Sequence, residues 1–227
     1  MSSPDPPFDA IAIDGPAASG KSTVARILAG RLKLIMVNSG EMYRAATLAV
    51  LQQGADPSDA GQVRALLEQL RLDCVIEDDS SRILLDGVYP GKALRSDEVN
   101  AAVSAVASVP EVRHLLVSLQ RSLLQQGDLI MEGRDIGSVV FPDTPYKIYV
   151  DASEEVRRER RAAEGELDSV GDRDRQDSTR KTSPLVVPEG AVVIDSSRMS
   201  IEEVVETALE SLRALGWFDR KPGNLTS

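Results

Sequence analysis

The chain has 227 residues, 42% of them hydrophobic and 27% charged, which is enough apolar side chain for one sizeable core and excludes wholesale disorder. Thirty-six acidic against 26 basic residues leave a net charge of −10, a field that repels polyanions and argues against a dedicated nucleic-acid or membrane-surface binder. One cysteine, Cys74, and one histidine, His114, exclude an intramolecular disulfide and any multi-cysteine or multi-histidine metal site.

Phe8 to Asp14 is a short apolar run that reads as a buried strand. Val24, Ile27, Leu28 and Leu32 then recur at helical spacing from Lys21 onward. Strand, loop and helix in that order open a parallel α/β sheet. Leu34 to Val37 predicts a second strand, Glu41 to Gln53 a helix stopped by Gly54, and Ser58 to Leu70 another helix. Asp73 to Ile76, Arg82 to Asp86 and Val88 to Leu94 are strand-like pieces divided by turn signals, which predicts a small antiparallel insert at about 72–95.

Helices are expected from Ser96 to about Ser108 and from Pro110 to Gly127, and strands at Leu129 to Glu132 and Lys147 to Val150. Arg157 to Lys181 is densely charged with little apolar period, so it is expected to be mobile or ordered by ligand. Ala191 to Ile194 predicts a last strand, and Ser200 with Glu203 a capping box on a final helix closed by Gly216. The start of the chain is rich in Pro and Asp without the apolar segment of a signal, and no apolar run reaches membrane-spanning length. A cytoplasmic protein with no membrane partner is expected.

Gly15, Pro16, Ala17, Ala18, Ser19, Gly20, Lys21 and Ser22 fit the phosphate-loop pattern of two glycines followed by Lys and Ser. Its place between a buried strand and an amphipathic helix is what the chemistry requires, because backbone N–H groups and a helix N-terminus must converge on phosphate oxygens. In that reading Lys21 places charge on the β- and γ-phosphates of ATP, Ser22 offers its hydroxyl to Mg²⁺, and Thr23 assists at the α-phosphate. The bland alternative is a flexible turn with a solvated lysine. A triphosphate site alone does not separate a kinase from a GTPase or a motor, but no Asn-Lys-x-Asp guanine-reading motif is present. Arginines spread over many segments suit a cage for transfer between two phosphates.

Four motifs in one order resemble the bacterial cytidylate (CMP) kinases across nearly the whole chain. They are Ile13-Asp-Gly-Pro with Gly20-Lys21, Ser39-Gly-Glu-Met-Tyr-Arg44, Gly133-Arg-Asp-Ile-Gly137 with Val139-Val-Phe-Pro142, and Arg173-Asp-Arg-Gln-Asp177-Ser-Thr-Arg180 with Ser183-Pro-Leu185. The resemblance implies a three-layer α/β phosphate-loop fold like that of the nucleoside monophosphate kinases, with a central parallel sheet, the small antiparallel insert beside the acceptor, and an Arg-rich lid at about 157–183. The activity it implies is transfer of the γ-phosphoryl group of ATP to CMP or dCMP. It also implies that Ser39 and Arg44 approach the CMP phosphate, that Arg134 clamps it, and that Ser104, Arg113 and Asp135 read the cytosine edge. Arg173 and Asp177 are expected on the ribose hydroxyls and Arg180 on the acceptor phosphate. Lys21, Arg134 and Asp135 are the expected catalytic residues, Arg157 and Arg161 belong with the ATP site, and Ser22 with Glu132 belongs with Mg²⁺.

The base-reading assignment also agrees with chemistry, since the amino group at C4 of cytosine asks for a carboxylate and the ring acceptors beside it for Arg or Ser donors. Each group has a plainer reading. Arg134-Asp135 fits an ordinary surface ion pair; Arg157, Arg160 and Arg161, spaced with Glu154, Glu155 and Glu159, fit a solvated helix face; Glu132 fits a balance for nearby arginines. Asn38 stands where the family carries Asp, and the stretch between Arg161 and Arg173 is shorter than the family's lid. A monomer with no nucleic-acid polymer as partner is expected. The rival readings are a phosphate-loop kinase acting on UMP or a hydroxylated metabolite, and a catalytically weak nucleotide-binding regulator.

Overall fold

The computed structural model describes residues 8–67, 69–163 and 185–220, and the chain divides into two compact units, 1–37 with 124–227 and 38–123. In the first unit β1 (Ala10–Asp14), β2 (Ile35–Asn38), β5 (Leu129–Gly133), β6 (Lys147–Asp151) and β7 (Val192–Asp195) lie in the order β2-β5-β1-β6-β7. β1 runs parallel to β5, with Ile13 opposite Glu132 and Asp14 opposite Gly133, and parallel to β6 on its other side. β6 runs parallel to β7. Every residue of β1 and β5 is buried, as expected for central strands covered on both faces, whose apolar runs need not alternate.

Helix α1 (Lys21–Leu32) covers the sheet with Val24, Ala25 and Leu28, and α7 (Ile201–Ala214) packs Val204, Val205 and Leu212 into the same core as Ile11 and Ile13. α7 starts on the expected capping box: Ser200 Oγ accepts from the Glu203 N–H while the Glu203 carboxylate accepts from the Ser200 N–H. Gly216, at φ 83°, ends it. Beyond α7, Trp217 packs edge-on against Tyr146 with ring centroids 4.8 Å apart. The Arg220 guanidinium lies 3.6 Å above its ring and bonds Asp128 at 2.7 Å. That pairing ties the chain after α7 to the N-terminal ends of β5 and, through Asp9, of β1.

In the second unit α2 (Ser39–Gln52), α3 (Ala60–Leu67), α4 (Asp97–Val106) and α5 (Pro110–Ser122) accompany an antiparallel hairpin of β3 (Leu72–Glu77) and β4 (Ser80–Leu85). Asp78 and Asp79 turn that hairpin with φ of 49° and 57°, the positive pair a two-residue turn demands to match strand twist. The strand expected at Val88 to Leu94 is not formed. Leu85 and Val88 exchange both backbone hydrogen bonds around Asp86 and Gly87, which also take positive φ, and pairing stops there. Pro90 has no N–H to continue a ladder, and Gly91–Arg95 coils into a 3₁₀ turn whose Leu94 is buried. Ser96 then caps α4 by accepting from the Val99 N–H at 3.3 Å.

The densely charged stretch starts differently from the expectation as well. Glu154–Ala163 forms helix α6. Residues 164–184, which hold most of the expected lid, lie outside the described residues.

Candidate active site

The loop between β1 and α1 is shaped by its backbone. Gly15 adopts φ 154°, and a Cβ there would lie 2.1 Å from the Val150 carbonyl oxygen of β6, so a side chain at 15 cannot be accommodated without moving a central strand. Ala18 and Gly20 also take positive φ, 57° and 91°, and Gly20 caps α1. The loop therefore curls over the N-terminus of α1 and aims that helix's first N–H groups, with their partial positive charge, into the concavity.

Lys21 is buried, and its Nζ reaches back across the loop to donate to the Pro16 carbonyl at 3.0 Å. The Ser22 hydroxyl donates to Glu132 Oε1 at 2.8 Å. Glu132 is 4% exposed on the neighbouring strand β5, and the parallel register that sets Ile13 opposite it carries its carboxylate to the loop. Among the described residues no three His, Cys, Asp or Glu side chains gather into a metal site. A hydroxyl and a carboxylate beside a phosphate cradle are instead the hard oxygen donors that suit Mg²⁺ when it completes its shell with phosphate oxygens and water.

Arg134 follows β5 and donates from Nη1 to the Gly15 carbonyl at 2.8 Å, so its guanidinium stands at the mouth of the loop. The reading of Arg134-Asp135 as a surface ion pair does not hold, because Asp135 is 3% exposed. Its backbone caps a single turn of π-helix, Ile136–Val140, whose Val139 and Val140 N–H groups donate to the Asp135 carbonyl. Such turns are rare and, where they occur, are frequently found at functional sites.

The reading of α6 as a solvated face also fails. Arg157 and Arg161 are buried; Arg157 Nε donates to the Ala152 carbonyl at 2.9 Å and Nη1 to the Ala17 carbonyl of the loop at 3.4 Å. Arg158, paired with Glu154 at 2.9 Å, faces solvent instead. Arg160, which sequence reasoning left out of the ATP set, donates to the Ser19 carbonyl at 3.2 Å and to the Ser196 hydroxyl and carbonyl at 3.1 and 2.9 Å. Arg160 and Ser196 line a pocket of about 460 Å³ with Gly20, Thr23, Met199 and Ile201. Ser196 was missed too. The available signal was its place just after β7, where the crevice of a parallel sheet opens.

The expected CMP-binding residues of the second unit lie on its helices. Ser39, 3% exposed, is the first residue of α2. Asn38 caps that helix, its side-chain oxygen accepting from the Glu41 N–H at 3.3 Å, a task its amide performs as a carboxylate would. Arg44 bonds Asn100 Oδ1 at 2.6 Å and the Leu94 carbonyl at 3.1 Å. Ser104 is half-buried on α4. Arg113, 3% exposed on α5, donates to the Ala107 carbonyl at 3.1 Å and lies 5.3 Å from the Tyr43 ring centre. Arg173, Asp177 and Arg180 lie outside the described residues.

A parallel sheet carrying a Gly-rich loop, its lysine, a Ser–Glu pair and an arginine at the loop mouth defines a phosphate-loop nucleotide-binding protein. The fold agrees with a solved structure of a gluconokinase from Sinorhizobium meliloti 1021, at a TM-score of 0.52 and 14% identity, over 95% of this chain and 99% of that one.

Residues 11–214 match the family model for cytidylate kinase. Curated relatives named cytidylate kinase include one from Limosilactobacillus reuteri strain DSM 20016, 41% identical over 86% of this chain and 91% of its own. Another, from Mycobacterium avium strain 104, is 43% identical over 89% and 94%. The chain belongs to the cytidylate kinase family.

Proposed function

We propose that this protein transfers the γ-phosphoryl group of ATP to CMP or dCMP, giving ADP and CDP or dCDP. An oxygen of the acceptor phosphate forms the new bond to the γ-phosphorus while the bond to the ADP oxygen breaks. The acceptor is already an anion at neutral pH, so no covalent intermediate on the protein is needed and catalysis is positioning plus screening of charge. The observation that carries this reading is the phosphate loop itself, with Lys21 held over it and Arg134 bonded to its first carbonyl, in a chain of this family.

Each role follows from the group's chemistry. The loop N–H groups from Gly15 to Ser22 cradle the ATP phosphates, Lys21 neutralises charge at the β–γ bridge, and Arg134 meets the charge that spreads over the moving group. Thr23, Arg157 and Arg161 complete the ATP side, and Arg160 and Ser196 join them at the pocket beyond Gly20. Ser22, with Glu132 beside it, would hold Mg²⁺, which would supply positive charge against that of the ATP phosphates.

Ser39, at the start of a helix, and Arg44 serve the CMP phosphate. Asp135 accepts from the cytosine amino group, and Ser104 and Arg113 donate to the ring acceptors. A uracil oxygen facing the same carboxylate would leave two acceptors opposed, the kind of mismatch that discriminates strongly. Arg173 and Asp177 serve the ribose and Arg180 the phosphate, with 157–183 as lid and about 72–95 as the acceptor-side insert. The setting is a cytoplasmic monomer in pyrimidine nucleotide metabolism. The net charge of −10 supports a small nucleotide as the partner in preference to a nucleic-acid polymer.

A coupled assay of ADP release with ATP and Mg²⁺ against CMP, dCMP, UMP and AMP tests the proposal. CMP and dCMP are expected to give turnover at least about a hundredfold above UMP. Equal rates with UMP, or no CMP-dependent ADP, would remove it.

A further inference from the structure

Asp14 closes β1 and is fully buried, yet neither the phosphate-loop motif nor the acceptor readers include it. Its two carboxylate oxygens are divided between two backbone donors: Oδ1 accepts from the Ile136 N–H and Oδ2 from the Gly137 N–H, both at 2.7 Å. Those amides open the π-turn that follows Arg134 and Asp135. In the reverse direction, the Arg134 guanidinium donates to the carbonyl of Gly15, the residue after Asp14. The last residue of β1 and the residue just after β5 thus each send a side chain to the backbone that follows the other strand.

Gly137 fits this arrangement. Its φ is ordinary, but a Cβ there would lie 3.2 Å from Asp14 Oδ2, 3.2 Å from Lys147 Cδ and 3.1 Å from Pro188 Cγ. Space, and not backbone freedom, asks for glycine at 137. Burial pushes the Asp14 carboxyl up to about 6, against the lowering effect of the two amides, with Asp135 raising it further and Lys21 lowering it. A carboxylate retained in so unfavourable a place is costly to the fold, which is the usual mark of a group kept for function.

We propose that Asp14 is a positioning residue whose carboxylate locks the turn carrying Arg134 and Asp135 to the start of the phosphate loop. The two residues are thereby held at a fixed distance from Lys21 before substrate arrives. The inference rests on the reading of Arg134 and Asp135 as phosphate clamp and base reader. Displacement of about 1 Å in such a group costs up to about a hundredfold in rate.

The test uses the full chain as wild type, Asp14→Asn, Arg134→Ala and the double variant, with Gly137→Ala as an independent perturbation of the same contact. CMP-dependent turnover and ATP affinity are measured for each. Asp14→Asn is expected to lower kcat about thirtyfold with ATP affinity within about threefold. Arg134→Ala should then cost far less in the Asp14→Asn background than alone, because the arginine is already misplaced. A kcat within about twofold of wild type, or losses that simply multiply, would overturn the proposal. If Asp14→Asn does not fold, Gly137→Ala decides: a kcat loss of about fivefold or more with ATP affinity retained supports it, and wild-type kinetics refute it. A wild type without CMP-dependent ADP formation removes the functional reading and this inference together, whereas an active wild type matched by Asp14→Asn removes the inference alone.

Discussion

The two units handle charge in opposite ways. Among the described residues the first unit buries Asp14, Lys21, Glu132, Asp135, Lys147, Arg157 and Arg161, whereas the second buries, of its charged side chains, Arg113 alone. Buried charges survive only where partners and hydrogen bonds replace water. The first unit supplies them from backbone amides, loop carbonyls and neighbouring strands. The second presents its candidate groups from helices that accompany a half-buried hairpin. A frame of preset charge stabilises a transition state at little reorganisation cost. Of the second unit's candidate groups Ser39 and Arg113 are buried while Arg44 and Ser104 are half-buried, a mixture better suited to recognition than to rate.

The sharpest way to break that contrast is Lys21→Ala. Removing the charge that lies over the loop is expected to lower kcat at least about a hundredfold with the far-ultraviolet circular dichroism unchanged. A near-normal rate would mean that the buried frame does not carry catalysis.

A second test uses pH. The Asp14 carboxyl is raised to about 6 in the fold from an ordinary value of 3.8, so the folded state holds its proton more tightly than the unfolded chain. The stability that this proton confers is present below about 3.8 and is lost as pH rises to about 6. Relative to Asp14→Asn, wild type should therefore lose roughly 2 kcal/mol of unfolding free energy between pH 4 and 7, read from urea titrations at each pH. A flat difference would show that the carboxylate is not held against its own solvation.

The smallest expected effect belongs to the second unit. Arg113→Ala should raise the KM for CMP about tenfold while kcat at saturating CMP changes by less than about threefold. A collapse of kcat with unchanged KM would place that arginine with the catalytic frame instead.

What could be read from the residues alone follows the same division. The phosphate loop was legible because its chemistry is carried by backbone shape, and Gly15 and Gly20 are the residues that permit that shape. The final helix was legible from Ser200 and Glu203, whose reciprocal cap is a local arrangement. Val88 to Leu94 was misread because its composition suits a strand, while the Asp86-Gly87 turn and Pro90 allow only one bridge before the chain coils. Arg157, Arg160 and Arg161 were ambiguous because charge at helical spacing does not say which side faces the loop; packing of α6 decides that. Asp14 looked like the polar end of an apolar run. Its partners lie 122 and 123 positions away and become neighbours only through the pairing of β1 with β5.

Trp217 is the sole tryptophan of the chain and sits 4% exposed between the Tyr146 ring and the Arg220 guanidinium. Its fluorescence is therefore a native optical probe of the first unit, free of any label. Melting followed at once by tryptophan emission and by circular dichroism, which sees the helices of both units, will report whether the two units unfold in a single cooperative step.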